Sequence, residues 1–131
     1  MKLDIQAICH KGLVRDNNED ALSVGGVILR DDATNLVVTI SPEGFFYLLV
    51  ADGMGGHEHG EVASRFALEE MEEQLSLHQI QPDSFEDDAR EAAHYIAVKL
   101  NRTAADQGQA LPMGCTLTGV IWHYGRTWLV N

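Results

Sequence analysis

The stretch Leu48-Leu49-Val50-Ala51-Asp52-Gly53-Met54-Gly55-Gly56-His57-Glu58-His59-Gly60-Glu61-Val62-Ala63-Ser64 decides how this chain folds. An apolar, β-prone run from Phe45 to Ala51 stops at one acid, crosses glycines, and resumes with helical spacing from about Gly60. A charge is costly to bury without compensation, so an Asp closing a core strand is paired, caps a turn, or holds a metal. The glycines on either side of Met54 lack a Cβ, which lets backbone carbonyls and amides approach a bound ion or phosphate. Asp52 therefore anchors the rest of the chain.

On the N-terminal side, Leu3 to Cys9 alternates apolar and polar residues and predicts a half-buried strand. Lys11 to Asp20 is polar, with clustered Asn and Asp, and predicts a loop. Ala21 to Leu29 is strand-like but interrupted by Gly25-Gly26, and Asp31-Asp32 marks a turn. Asn35 to Ile40 and Phe45 to Ala51 flank Ser41-Pro42-Glu43-Gly44 and are expected to pair as a hairpin.

Beyond the glycines, Val62, Ala63, Phe66, Ala67, Met71 and Leu75 share one side of a helix, and Glu69, Glu70, Glu72 and Glu73 form a solvated opposite side. Gln79 to Pro82 breaks this helix, and Ser84 with Asp87 offers a capping pair for a second one. Apolar residues from Phe85 to Ala104 keep helical spacing, Gly108 to Gly114 connects, and Cys115 to Trp122 and Arg126 to Val130 form strands around His123-Tyr124-Gly125. Strands, two long helices, then strands predict an α+β layered domain with helices outside a largely antiparallel sheet.

The 131 residues make one domain or part of one. Twenty Asp and Glu against nine Lys and Arg give a net charge of −11, which repels nucleic-acid backbones and anionic membranes, so neither is expected as a partner. The apolar runs are too short to span a membrane, and Met1-Lys2-Leu3-Asp4 lacks the apolar core of a signal peptide, so a cytoplasmic location is expected. Cys9 and Cys115 are expected as free core thiols. The last residues, Trp128-Leu129-Val130-Asn131, lie inside an apolar strand pattern, which suggests a domain incomplete at the C-terminus and an unpaired sheet edge prone to association.

Chemistry concentrates in Arg15-Asp16-Asn17-Asn18-Glu19-Asp20 and in the glycine turn. Glu19, Asp20, Asp52 and the Gly53 carbonyl are the oxygen donors that Mg²⁺ or Mn²⁺ prefers, and the planar fork of Arg15 suits a phosphoryl group. Together they describe a metal-assisted phosphoester site; the bland alternative is a solvated loop with a local Arg15 ion pair. Asp16, Asn18 and Asp20 imitate an EF-hand start, but the required glycine is Ala21 and the required Glu is Val27. The His57 to Glu61 segment lacks the paired histidines of a zinc-protease helix, and the glycines match no dinucleotide or Walker fingerprint.

Three segments in order, V-R-D-N-N-E-D-A, V-A-D-G-M-G-G-H-x-x-G-E-V-A-S and M-G-C-T-L, resemble the bacterial branch of the metal-dependent type 2C serine/threonine protein phosphatases. The resemblance implies an α–β–β–α layered sandwich, with residues 1–131 as the N-terminal portion of a single domain. It implies a centre of two Mn²⁺ or Mg²⁺ ions and a metal-activated water attacking a phosphoserine or phosphothreonine monoester of a protein substrate. Carried over by position, Arg15 binds the substrate phosphate and Asp52 bridges the metals. The Gly53 carbonyl ligates one ion, Glu19 and Asp20 act directly or through water, and Thr116 stands outside the bound groups. His57 is the candidate acid for the leaving alkoxide. Cys115 departs from the small hydroxyl residue of the bacterial pattern, and the family's Gly-Asp-Ser-Arg segment and later aspartates would fall beyond Asn131. The piece alone is therefore expected to be inactive, and the complete domain to be a monomer. The alternative reading is a noncatalytic phosphatase-like module that binds partners through the same fold.

Overall fold

A computed structural model describes residues 1–54, 58–77, 83–106 and 113–131. Among them the elements run β1 (Lys2–Cys9), β2 (Asp20–Val24), β3 (Val27–Leu29), β4 (Asp32–Thr39), β5 (Phe45–Met54), α1 (Glu58–Leu77), α2 (Phe85–Asp106), β6 (Gly114–His123) and β7 (Arg126–Val130). The expected breaks at Gln79 to Pro82 and through most of Gly108 to Gly114 lie outside the described residues.

Five strands form one antiparallel sheet in the order β3-β2-β5-β6-β7, and β1 pairs with β4 in a second sheet. Glycine serves the β2–β3 hairpin directly, since Gly25 and Gly26 take φ of 56° and 94°, the left-handed pair that a two-residue turn requires.

The expected hairpin between Asn35–Ile40 and Phe45–Ala51 does not form. β4 turns to β1, with Lys2 opposite Thr39 and Cys9 opposite Asp32, while β5 lies between β2 and β6. The turn is real, closed by the Gly44 amide donating to the Ser41 carbonyl at 2.9 Å, but it passes the chain from one sheet to the other. The physical reason is burial. β5 carries apolar side chains on both faces, so it is stabilised at the centre of the sheet with a layer on each side, whereas β4 alternates exposed and half-buried residues and suits an outer sheet.

On one face, Tyr47, Leu49 and Ala51 of β5 pack with Ala67, Leu68, Met71, Phe85 and Ile96 of the helices. On the other, Phe46 and Leu48 meet Leu3, Ile5, Leu36 and Val38 from β1 and β4. The result is three layers, helix pair, five-stranded sheet and two-stranded sheet, which are three of the four in the expected α–β–β–α sandwich. Leu49, Leu68 and Ile121 are fully buried, each contributing roughly 1.5–3 kcal/mol of transfer free energy.

The buried stripe of α1 is Ala63, Ser64, Ala67, Leu68, Met71 and Leu75, so Ser64 and Leu68 lie in the core where the pattern had placed Val62, which is exposed. The glutamates are not all solvated either. Glu70 is buried and receives Lys99 Nζ at 2.6 Å, and the Ser23 hydroxyl donates to Glu72. Burial, with the nearby Glu72 carboxylate adding to it, pushes the Tyr47 phenol up to about 12. At α2 the Ser84 hydroxyl donates to Asp88 Oδ2 at 2.8 Å, and Glu86, Asp87 and Asp88 place negative charge at the positive end of the helix dipole. Cys9 and Cys115 are free thiols, as expected.

Candidate metal and phosphate site

The antiparallel register sets the site. Asp20, the first residue of β2, lies directly opposite Asp52 near the end of β5, and Asp52 has Thr116 of β6 on its other side. Side chains directly opposite across an antiparallel pair are close neighbours, so two distant segments of sequence deliver their carboxylates to one place. Burial, then the charge of Asp52 and a hydrogen bond to its carboxylate, hold the Asp20 carboxyl above its ordinary value of 3.8; Arg15 works the other way. Burial also raises the Cys115 thiol, with Asp52 as the second cause.

A cavity of about 170 Å³ opens over this pair, lined by His10, Lys11, Arg15, Asn17, Asn18, Glu19, Asp20 and Asp52. Arg15 Nη1 stands 3.4 Å from Glu19 Oε2, and its side chain remains 70% exposed, leaving most of the guanidinium open to a ligand. Glu19, Asp20, Asp52 and Arg15 are thus brought together, as the sequence had suggested. The Gly53 carbonyl packs against Gly60, where a Cβ would lie 2.9 Å from the oxygen. Candidate His57 lies outside the described residues.

Glycine at 53 and 60 has a steric cause. A Cβ on Gly53 would fall 1.8 Å from the Gly60 carbonyl oxygen, and one on Gly60 would fall 2.9 Å from Glu19 Cδ. The first turn of α1 consequently rests on the end of β5 and on Glu19, and the Gly53 amide donates to the Glu19 carbonyl at 3.2 Å.

Two residues hold this junction: Asn18, which the sequence reading weighed only within a rejected EF-hand pattern, and Arg30, which it passed over. Asn18 is buried; its Oδ1 accepts from the Asp20 amide at 3.1 Å, while its Nδ2 donates to Asp31 Oδ1 and Cys9 Sγ, each at 3.2 Å. An Asx turn ahead of a strand is the local signal that could have revealed it. Arg30 follows β3, with Nε 3.1 Å from the Asp20 carbonyl and Nη2 2.9 Å from the Glu61 carbonyl. No sequence signal marks Arg30, because its partners belong to two other elements, β2 and α1.

The residues present fit a hard divalent cation in kind. Two carboxylates within hydrogen-bonding reach carry a repulsion that a cation would relieve, and every candidate donor is oxygen. In number they are few: among the described residues, no group of three or more His, Cys, Asp or Glu side chains is arranged to hold a metal.

The family model for protein phosphatase 2C matches residues 25–131. The chain belongs to the protein phosphatase 2C family. Asp52, Gly53 and Thr116 fall within the matched residues, and Arg15, Glu19 and Asp20 precede them, with Asp20 tied to the family segment by the β2–β5 register. The Mycobacterium tuberculosis serine/threonine phosphatase PstP/Ppp is similar at 26% identity and a TM-score of 0.65, covering 98% of this chain and 45% of that one. A bacterial serine phosphatase carrying a point mutation (24%, TM-score 0.64, 93% and 48%) and the S. agalactiae serine/threonine phosphatase (17%, TM-score 0.65, 100% and 55%) share the fold. The chain spans about half the length of these phosphatases. Comparison with curated proteins gave no match.

Proposed function

We propose that residues 1–131 are the N-terminal portion of a single serine/threonine protein phosphatase domain that hydrolyses phosphoserine and phosphothreonine monoesters in the cytoplasm. Asp20 and Asp52 would hold Mn²⁺ or Mg²⁺, two ions in the complete site, with Glu19 and the Gly53 carbonyl as further oxygen donors. What supports this most is one observation: Asp20 and Asp52 are direct cross-strand partners at the mouth of a polar cavity that also contains an exposed arginine. When bound, such ions supply Lewis-acid polarisation of the phosphoryl group and a water acidified toward neutral pH.

The chain's own residues do the rest. The Arg15 fork donates to two phosphate oxygens and orients the ester, exchanging its long contact with Glu19 for charge-assisted hydrogen bonds. Asp20 and Asp52 fix the position of positive charge, and Thr116 stands opposite Asp52 on β6. His57 is placed by sequence near this turn as the group that protonates the departing alkoxide.

A second reading, a noncatalytic phosphatase-like module, has its own support in the small number of converging ligands among the described residues. A phosphatase assay with Mn²⁺ on phosphopeptides, run on this chain and on the natural gene product, separates the two. The first reading expects Mn²⁺-dependent release of phosphate by the gene product, abolished by Asp52→Asn, with Arg15→Ala acting mainly on KM. A gene product that binds Mn²⁺ yet releases no phosphate would establish the second.

A further inference from the structure

Arg30 donates its whole fork to backbone and side-chain oxygens around the carboxylate pair. Nε bonds the carbonyl of Asp20 at 3.1 Å, and Nη2 bonds the Glu61 carbonyl at 2.9 Å and Ser64 Oγ at 2.7 Å. Nη1 pairs with Glu61 Oε1 at 2.9 Å, and only 17% of the Arg30 side chain remains exposed. One planar group thereby ties the first residue of β2 to the first turns of α1. Ser64 is itself fully buried and donates to the Glu61 carbonyl at 3.2 Å, so the helix side of the contact is rigid.

The consequence concerns distance between elements. Asp52 and Gly53 leave β5 directly ahead of the segment that enters α1, and Gly53 touches both Gly60 and the Glu19 carbonyl. If the start of β2 moved away from α1, Asp20 would move relative to Asp52, because the Gly53–Glu19 hydrogen bond is the one other backbone link described there besides the ladder. The geometry points to Arg30 as a positioning residue: it holds the Asp20 backbone against α1 so that the Asp20 and Asp52 carboxylates keep the separation a divalent cation needs. This rests on the metal-site reading above. Outer groups that orient metal ligands typically change metal affinity about 10–100-fold when removed. Lysine cannot substitute fully, since a single ammonium lacks the fixed fork that reaches four acceptors at once.

The test is Mn²⁺ binding to the natural gene product, read from the electron paramagnetic resonance signal of free Mn²⁺, with far-UV circular dichroism confirming that each variant is folded. Arg30→Met is expected to weaken Mn²⁺ binding at least about tenfold and to speed amide exchange at Gly53, with Arg30→Lys between it and the wild type. Arg90→Met, which removes an equal charge from an exposed pair with Glu86 on α2, controls for net charge and is expected to bind as the wild type does. Should Arg30→Met fail to fold, Ser64→Ala removes one acceptor and is expected to weaken binding by a smaller factor. Wild-type affinity in folded Arg30→Met, or in Ser64→Ala, overturns the positioning role alone. A wild-type gene product that leaves Mn²⁺ free overturns the metal-site reading and this role with it.

Discussion

At the scale of single residues, the Asp20–Asp52 pair is a place where the metal-free fold works against itself. A carboxyl group whose folded value is raised above 3.8 binds its proton more tightly in the folded state. Its contribution to stability is then complete below the ordinary value and is lost as pH rises through the raised one. At neutral pH the ionised Asp20 is a net cost to the metal-free chain. Asp20→Asn is therefore expected to raise the melting temperature of the metal-free protein at pH 7, with the gain disappearing as pH falls below the ordinary carboxylate value. Thermal melts over that pH range with a chelator present check this, and a variant less stable at pH 7 than the wild type would contradict it. The two acids were legible in the sequence as candidates for one site, because Asp20 ends a polar loop ahead of a strand and Asp52 closes an apolar one. Their direct opposition was not, since register depends on which strands pair. Arg30 was illegible because its partners lie on other elements, whereas Asn18 carried a local signal, the Asx turn ahead of β2.

At the scale of elements, the glycines around the site act through close approach. Gly53→Ala places a Cβ 1.8 Å from the Gly60 carbonyl oxygen, so β5 and α1 must separate. The expected loss is about 1–3 kcal/mol or more, with Mn²⁺ binding falling alongside, measured by denaturant unfolding and metal titration. A fully stable Gly53→Ala chain would mean that the contact is looser than described. The order of strand then helix was legible in the apolar run, the acid and the glycines, but the bounds were not: β5 runs past Ala51 to Met54, and α1 begins at Glu58 rather than about Gly60. The sequence misled over β4 and β5. Two strands around a Pro-Gly turn suggest a hairpin when only local turn chemistry is considered, yet β5 is apolar on both faces and the turn instead links the two sheets. A strand apolar on both faces is the cue for a central position, and it outweighs proximity in sequence.

At the scale of the whole molecule, the chain places helices on one face of the five-stranded sheet and two strands on part of the other. β7 pairs only with β6 among the described strands, and its Leu129 is 83% exposed. An edge strand with an exposed apolar side chain is a template for pairing between chains. Sedimentation is expected to show concentration-dependent association, reduced by Leu129→Lys, which places a charge on that edge. A chain monomeric at every concentration would remove this expectation. Among the described residues, no helix is long and apolar enough to cross a membrane.

The central claim is that Asp20 and Asp52 grip one hard cation between them, and paramagnetic broadening tests it most directly. Substoichiometric Mn²⁺ is added to the ¹⁵N-labelled chain, and amide signals are followed residue by residue. The account expects the amides of Asp20, Asp52, Gly53 and Thr116 to broaden first, and the effect to vanish in Asp52→Asn. Broadening centred on the acidic face of α1, or unchanged in Asp52→Asn, would contradict it.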